Sequence, residues 1–261
     1  MNLNAQWTDN GVAQTLVYLH GFMGSAADWE QIEARLGTDF NHLRIDLPGH
    51  GKSPLQENTD FPRTARQIID LLNERGIQKA HWVGYSMGGR ILLYFALQYP
   101  RPVLSLVLES ASPGLESRKD REKRKTADVQ TAQKLRQDLK AFLADWYRQP
   151  LFGYITDNER YAELIQRRLK NDPDRLAKAM INLSVAEQPD LWPRLGEISC
   201  PVLLICGGLD QKYVEITRRI QEKQPGFLRR VVPECGHNTH FEQPERFAEI
   251  LREFIISLIT N

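Results

Sequence analysis

Ser86, Asp210 and His237 are the residues whose types and order in this chain suit nucleophilic or acid–base chemistry. A serine hydroxyl is a weak nucleophile and a weak base until the backbone presents it and an imidazole takes its proton. The imidazole in turn needs a carboxylate to fix its tautomer. Ser86 sits in Gly84-Tyr85-Ser86-Met87-Gly88, after the run Ala80-His81-Trp82-Val83 and before Gly89-Arg90-Ile91-Leu92-Leu93-Tyr94-Phe95-Ala96. A strand that turns sharply into a helix crowds the positions two before and two after such a serine, and only very small residues fit there. Asp210, in Gly207-Gly208-Leu209-Asp210, and His237, in Glu234-Cys235-Gly236-His237-Asn238, each follow a later apolar run. Two rivals stay open at this level. Glu109 also ends an apolar run and is a second candidate carboxylate; His240 lies three residues past His237, where a last helix would begin.

Positioning these groups requires strands and helices in alternation. Thr15–Leu19, Leu43–Ile45, His81–Gly84, Leu104–Leu108, Val202–Ile205 and Leu228–Val232 read as strands. Helical patterns lie between them, such as Thr64 to Arg75, closed by Gly76. The expectation is an α/β fold with a mostly parallel central sheet flanked by helices, and with the three reactive residues beyond the C-terminal ends of parallel strands. In such a fold the oxyanion donors are the Met87 amide and an amide of the early loop His20-Gly21-Phe22-Met23-Gly24, with Phe22 favoured. The loop Asp46-Leu47-Pro48-Gly49-His50-Gly51-Lys52-Ser53 reads as structural.

The alternation stops between about 114 and 188. Leu135, Leu139, Phe142, Leu143 and Trp146 fall on one helical face, a second helix is expected over about 157–170, and Asp172-Pro173 opens a third. This segment reads as a helical lid (114–188) inserted into a core made of 1–113 and 189–261. Residues 115–182 carry 16 Lys and Arg against 11 Asp and Glu, whereas the rest of the chain is net negative. Most of those charges are solvated helix faces, but an arginine excess above a site favours anionic substrates.

Composition bounds the rest. With 261 residues, 41% hydrophobic, 26% charged and a net charge of +1, the chain gives no reason to expect nucleic acid or a membrane as partner. Its apolar runs are too short to span a bilayer, and Met1-Asn2-Leu3-Asn4-Ala5-Gln6, without a charged or an apolar stretch, leads us to expect no secretory signal. Cys200, Cys206 and Cys235 are an odd, scattered set that suits a reducing cytoplasm and has no metal-ligand spacing. Neither metal nor organic cofactor is expected, and the chain is expected to be a cytoplasmic monomer or weak homo-oligomer.

His20-Gly21-Phe22, Asp46-Leu47-Pro48-Gly49-His50-Gly51 and Gly84 to Arg90 resemble the signposts of the α/β-hydrolase superfamily. Ser-Met-Gly-Gly-Arg at 86–90, Ser112-Pro113-Gly114-Leu115, the basic run Arg121–Lys125 and Ala144-Asp145-Trp146-Tyr147-Arg148-Gln149-Pro150 extend the likeness. With Ala186–Leu191 and Gly236-His237-Asn238, they are similar to the 2-succinyl-6-hydroxy-2,4-cyclohexadiene-1-carboxylate synthase family of menaquinone biosynthesis. The resemblance implies a lyase in which Ser86, deprotonated by His237, acts as a base and pyruvate is expelled. It implies that Asp210 orients His237 and that the Phe22 and Met87 amides hold an enolate oxygen. It also implies Arg90, Arg124 and Arg168 as partners of substrate carboxylates, with Arg121, Lys123 and Arg167 blurring the register, and Tyr85 and Trp146 as pocket walls. The same triad would serve a hydrolase acting on an ester, thioester or carbon–carbon bond of a small carboxylated substrate, with an apolar lid lining as its mark. A binding protein without catalysis is disfavoured by the intact Ser86, Asp210 and His237.

Overall fold

Side chains alternate across a strand, so Leu16 and Tyr18 turn to one side of Thr15–Leu19 while Val17 and Leu19 turn to the other. That alternation splits the core into two layers around one sheet. The computed structural model describes residues 2–260. Its strands are β1 (Ala5–Thr8), β2 (Thr15–Leu19), β3 (Asn41–Ile45), β4 (Ala80–Tyr85), β5 (Val103–Glu109), β6 (Val202–Gly207) and β7 (Leu228–Val232), in spatial order β1-β3-β2-β4-β5-β6-β7. All pairings are parallel except β1 with β3.

The α-helices follow in chain order: α1 (Glu30–Leu36), α2 (Phe61–Glu74), α3 (Met87–Gln98), α4 (Arg118–Gln137), α5 (Leu139–Trp146), α6 (Tyr161–Arg168), α7 (Pro173–Asn182), α8 (Gln211–Lys223), α9 (Thr239–Glu242) and α10 (Pro244–Ile259). Val17, Leu19, Trp82, Leu106 and Leu204 pack beneath α2 and α3, and Ile220 of α8 joins that layer. Leu16, Tyr18, Val83, Val107 and Ile205 pack against Ile32 and Leu36 of α1 and Phe247, Leu251 and Ile255 of α10. A sheet buried on both faces explains why β2 and β4 read as continuous apolar runs rather than alternating ones.

Between β5 and β6 the helices α4 to α7 build a third apolar cluster from Leu135, Phe142, Leu143, Leu164, Leu176 and Met180. Met23 and Phe241 belong to the same cluster, so the loop after β2 and helix α9 anchor it to the rest of the chain.

Local chemistry departs from the sequence pattern in three places. The face running from Leu135 to Trp146 is not one helix: Asp138 ends α4 and its side chain accepts the Ala141 N–H, capping α5. The helix expected over 157–170 is shorter, with 3-10 turns at 150–152 and 155–157 before α6. The edge strand β1 has only partly buried positions besides one exposed residue, too weak an apolar pattern to be read as a strand. By contrast, Asp172 does cap α7 with Pro173 at its first position.

The passage from β4 to α3 is the tightest point of the fold. A Cβ on Gly88 would lie 2.3 Å from the Leu19 carbonyl oxygen, which is backbone and has no freedom to yield. Gly88→Ala should therefore lower the unfolding free energy by about 1–3 kcal/mol, measured by urea denaturation; an unchanged midpoint would contradict this packing.

Candidate active site

Ser86 stands on that passage with φ 50° and ψ −106°, a conformation that costs a non-glycine residue about 1–3 kcal/mol. The sheet holds it there. Its N–H donates to the Glu109 carbonyl at 2.8 Å, continuing the β4–β5 pairing one residue past the strand. The strain turns the hydroxyl out of the sheet, and Ser86 Oγ lies 3.0 Å from His237 Nε2. His237 Nδ1 lies 2.6 Å from Asp210 Oδ2, so Nδ1–H donates to the carboxylate and Nε2 is free to accept from the serine.

Asp210 and His237 are brought together by backbone contact between the loops after β6 and β7. A Cβ on Gly207 would lie 2.0 Å from the Gly236 carbonyl oxygen, and the Leu209 N–H donates to the Cys235 carbonyl at 2.9 Å. Asp210 also caps α8, accepting the Tyr213 N–H at 3.3 Å. The carboxylate is 1% exposed, so His237 meets it with little competition from water.

The two rivals pair with each other. Glu109 Oε2 lies 2.6 Å from His240 Nδ1, and Oε1 accepts the Thr239 hydroxyl at 2.6 Å and the His240 N–H at 3.0 Å. The His240 ring stacks on Trp29 with centroids 4.2 Å apart. Glu109 thus has both oxygens engaged within the core, and it does not reach His237. The Tyr85 ring lies against both histidines, 5.3 Å from His237 and 5.0 Å from His240 between centroids.

Met87 is the first residue of α3, so its N–H has no partner within the helix. Phe22 lies in a turn closed by Gly24 N–H to Gly21 O at 3.0 Å, with Met23 at φ 63°. The close approach at Gly88 sets this turn beside the start of α3. The His20 ring braces it: Nδ1–H donates to Gly21 O at 2.7 Å and Nε2 accepts the Leu47 N–H at 2.9 Å. Burial lowers the His20 pKa, keeping that neutral tautomer. Asp46 accepts from the Ala26 and Lys52 amides and the Asn4 side chain, which leaves it a purely structural role.

A cavity of about 630 Å³ opens over Ser86, with Phe22, Met87 and Trp146 in its wall. Arg90, Lys123, Arg124, Lys212 and Arg219 also line it. Arg124 is paired with Asp128 and Arg219 with Glu116, both at 2.8 Å. Arg90 differs. Its guanidinium donates to the Leu183 carbonyl at 3.1 Å and to Gln188 Oε1 at 3.5 Å, and among the described residues no carboxylate is paired with it. Burial lowers its pKa to about 10, so the charge persists at neutral pH without a counter-ion.

Arg168 and Tyr85, expected at the pocket, do not line this cavity. Arg168 is 2% exposed and pairs with Asp28 at 2.8 Å while donating to the Tyr147 hydroxyl at 3.0 Å. Its charge is spent on fastening α6 to the segment before α1. Tyr85 is 6% exposed and packs behind the triad, edge-on beneath Gly21. Asp28 and Tyr147 had no sequence signal for this role, because they meet Arg168 from positions 140 and 21 residues away in the chain. Lys212 was also missed; it stands two residues past Asp210, inside a stretch read only for its carboxylate. Among the described residues no group of three or more His, Cys, Asp or Glu side chains is arranged to hold a metal ion. No helix among them is long and apolar enough to cross a membrane.

Residues 14–244 match the family model of the alpha/beta hydrolase fold. The 2-succinyl-6-hydroxy-2,4-cyclohexadiene-1-carboxylate synthase of Serratia proteamaculans (strain 568) is 36% identical over 244 residues, covering 93% of each chain. The enzyme of the same name from Pectobacterium atrosepticum is also 36% identical, over 92% of this chain and 93% of its own. Among solved structures, MenH from S. aureus superposes with a TM-score of 0.92 at 29% identity, covering 97% of this chain and 98% of that one. A malate-bound thermophilic esterase from Thermogutta terrifontis follows the same fold with a TM-score of 0.85 at 25% identity, covering 98% and 94%.

The Asp28–Arg168 pair makes a stability prediction. Burial by itself would raise the Asp28 pKa, but the Arg168 charge and hydrogen bond, with Arg167, outweigh it and hold the carboxyl at about 2. A folded-state pKa below the unfolded value contributes stability above about pH 4 that is lost as pH falls toward 2. Arg168→Met should therefore cost about 3–5 kcal/mol at pH 7, and the difference from wild type should shrink in urea titrations at pH 3. A deficit that stays constant between those pH values would remove the ion pair as its cause.

Proposed function

The chain belongs to the alpha/beta hydrolase family and, within it, to the 2-succinyl-6-hydroxy-2,4-cyclohexadiene-1-carboxylate synthases, and from that membership we infer that it is a pyruvate-eliminating lyase of menaquinone biosynthesis. It acts on 2-succinyl-5-enolpyruvyl-6-hydroxy-3-cyclohexene-1-carboxylate, a small molecule. The observation that carries this reading to the residues is Arg90: an uncompensated cation in the cavity wall, one helical turn past Ser86. A largely desolvated charge with no paired carboxylate is costly until an anion meets it, and a planar guanidinium suits a carboxylate.

In the proposed mechanism the Ser86 hydroxyl proton passes to His237 Nε2 as Oγ takes the ring proton beside the succinyl ketone. The electrons released from that C–H bond move through the ring and break the bond to the enolpyruvyl oxygen. Pyruvate leaves, and a conjugated diene remains. Asp210 holds the His237 tautomer and balances the imidazolium. The Met87 and Phe22 amides face the ketone oxygen as negative charge develops on it; each such donor is worth about 3 kcal/mol in the transition state. Arg90 and Arg124 take substrate carboxylates, with Trp146 as an apolar wall. Lys212 and Lys123 supply the charge that Arg168, held by Asp28, does not.

Pyruvate release from the enolpyruvyl precursor, generated in situ, tests this. Ser86→Ala should fold normally and lose at least about 10³-fold in turnover; retained turnover would exclude a serine base. Arg90→Ala should raise KM about 10- to 100-fold through one lost charge-assisted contact, with kcat changed far less. An unchanged KM would take Arg90 out of the binding site.

A further inference from the structure

The imidazole of the triad rides on three consecutive amides, and each is fixed by a residue outside that tripeptide. Gly236 N–H donates to Glu242 Oε2 at 2.9 Å, and Asn238 N–H donates to Glu242 Oε1 at 3.3 Å. Between them, His237 N–H donates to the Leu151 carbonyl at 2.9 Å. One carboxylate therefore spans His237 from both sides. From this geometry we propose that Glu242 is a positioning residue of the triad: its ionised carboxylate fixes the His237 loop so that Nε2 meets Ser86, and its protonation frees that loop. The inference rests on the lyase reading only for what the imidazole ultimately does.

An ionised carboxylate accepts at both oxygens, whereas a protonated one turns an O–H toward at least one donor. Protonation thus removes one of the two bonds that bracket His237. The loop has no slack on its other side, because a Cβ on Gly236 would lie 2.4 Å from the Phe152 carbonyl oxygen and 3.0 Å from Glu242 Oε1. With one bond gone, the Leu151 carbonyl holds the loop against a single remaining clamp. A displacement of about 1 Å at a reacting group is enough to lower a rate about 10²-fold.

The surroundings make this proton equilibrium accessible near neutrality. Burial raises the Glu242 pKa most; the Gly236 and Asn238 N–H groups oppose it, Glu109 and Asp210 reinforce it, and the result is about 7. The titratable groups that act on it from the packed elements are Glu109 at the end of β5, Asp210 before α8, Tyr85 at the end of β4 and Cys235 in the loop. Glu109 is engaged by His240 and Asp210 by His237. On the helical segment above, Arg160 is occupied by the Phe241 carbonyl, and the remaining neighbours there are the Leu151 and Phe152 backbone. No arginine or lysine is paired with Glu242 among the described residues. Glu242 also satisfies the amide of Asn238, which caps α9, and that purely structural role would affect stability alone.

Sulfonylation of Ser86 by phenylmethylsulfonyl fluoride separates the two roles without any natural substrate. The serine oxygen attacks sulfur, an S–O bond forms, the S–F bond breaks with loss of fluoride, and the hydroxyl proton passes to His237. In wild type, the logarithm of the rate should climb with pH more steeply than a single deprotonation allows, because Glu242 must lose its proton in addition to the ionisation that activates the serine. In Glu242→Gln the rate at pH 8 should fall about 10- to 100-fold and the slope should drop to one, with Ser86→Ala as background. A slope of one in wild type, or a wild-type rate in Glu242→Gln, overturns the proposal. Should Glu242→Gln fail to fold, the wild-type slope decides alone. Pyruvate release measured in parallel keeps the readings apart: no release with the two-proton slope retires the lyase and keeps the clamp, and release with a slope of one does the reverse.

Discussion

The contact on which this site depends is backbone against backbone: the first turn of α3 lies on the carbonyls at the end of β2, with no room for a side chain at Gly88. That approach fixes the angle at which the chain leaves β4, and so holds Ser86 at φ 50°. It also sets the Phe22 turn beside the Met87 amide, so the hydroxyl and the two amides proposed as oxyanion donors are placed by one constraint. The strain at Ser86 persists because the sheet over-determines it, with the Glu109 carbonyl taking the Ser86 N–H. A rigid presentation of this kind favours chemistry, since donors already aligned need no reorganisation as charge develops.

Around the serine, three buried carboxylates and the half-buried Glu242 are kept apart by their partners. Asp210 has His237, Glu109 has His240, Asp28 has Arg168, and Glu242 has only amides. The first is next to the reacting group and the second lies behind Tyr85. The third ties the helical segment to the loop side of the sheet. The assignment follows from geometry, because two histidines and two strand-end carboxylates three-dimensionally adjacent would otherwise be interchangeable. Tyr85 keeps the two imidazoles in separate compartments.

Charge in the helical segment is sorted in the same way. Arg168 sits deep and neutralised, Arg124 and Arg219 are paired in the cavity lining, and Arg90 has carbonyl oxygens and the Phe61 ring as partners but no paired carboxylate among the described residues. Cations that already have counter-ions hold a substrate carboxylate less tightly, since the new anion must share or displace the old one. The cavity wall therefore holds one arginine without a paired carboxylate, one helical turn past Ser86, together with the exposed Lys123 and Lys212. This arrangement fits a substrate whose carboxylates surround a reacting ring.

Sequence by itself determined what depends on neighbours along the chain. Glycine spacing around Ser86, apolar runs with helical patterns between them, and caps such as Asp172-Pro173 are local, and they specified the parallel sheet, the presented serine and the order Ser86, Asp210, His237. Only the tertiary structure decided what depends on partners far apart. It separated Glu109–His240 from Asp210–His237, because both carboxylates follow strands, the two histidines lie three residues apart, and sequence spacing does not say which meets which. It moved Arg168 from the pocket to Asp28, and it placed β1 at the sheet edge, where four residues pair antiparallel with β3 without an apolar signal. It also revealed the Glu242 clamp, whose meaning depends on a fold in the chain that brings a carboxylate back over its own histidine. Side-chain type and spacing encode which groups are present; which charge neutralises which is settled by packing, where distance and burial set the strength of every pair.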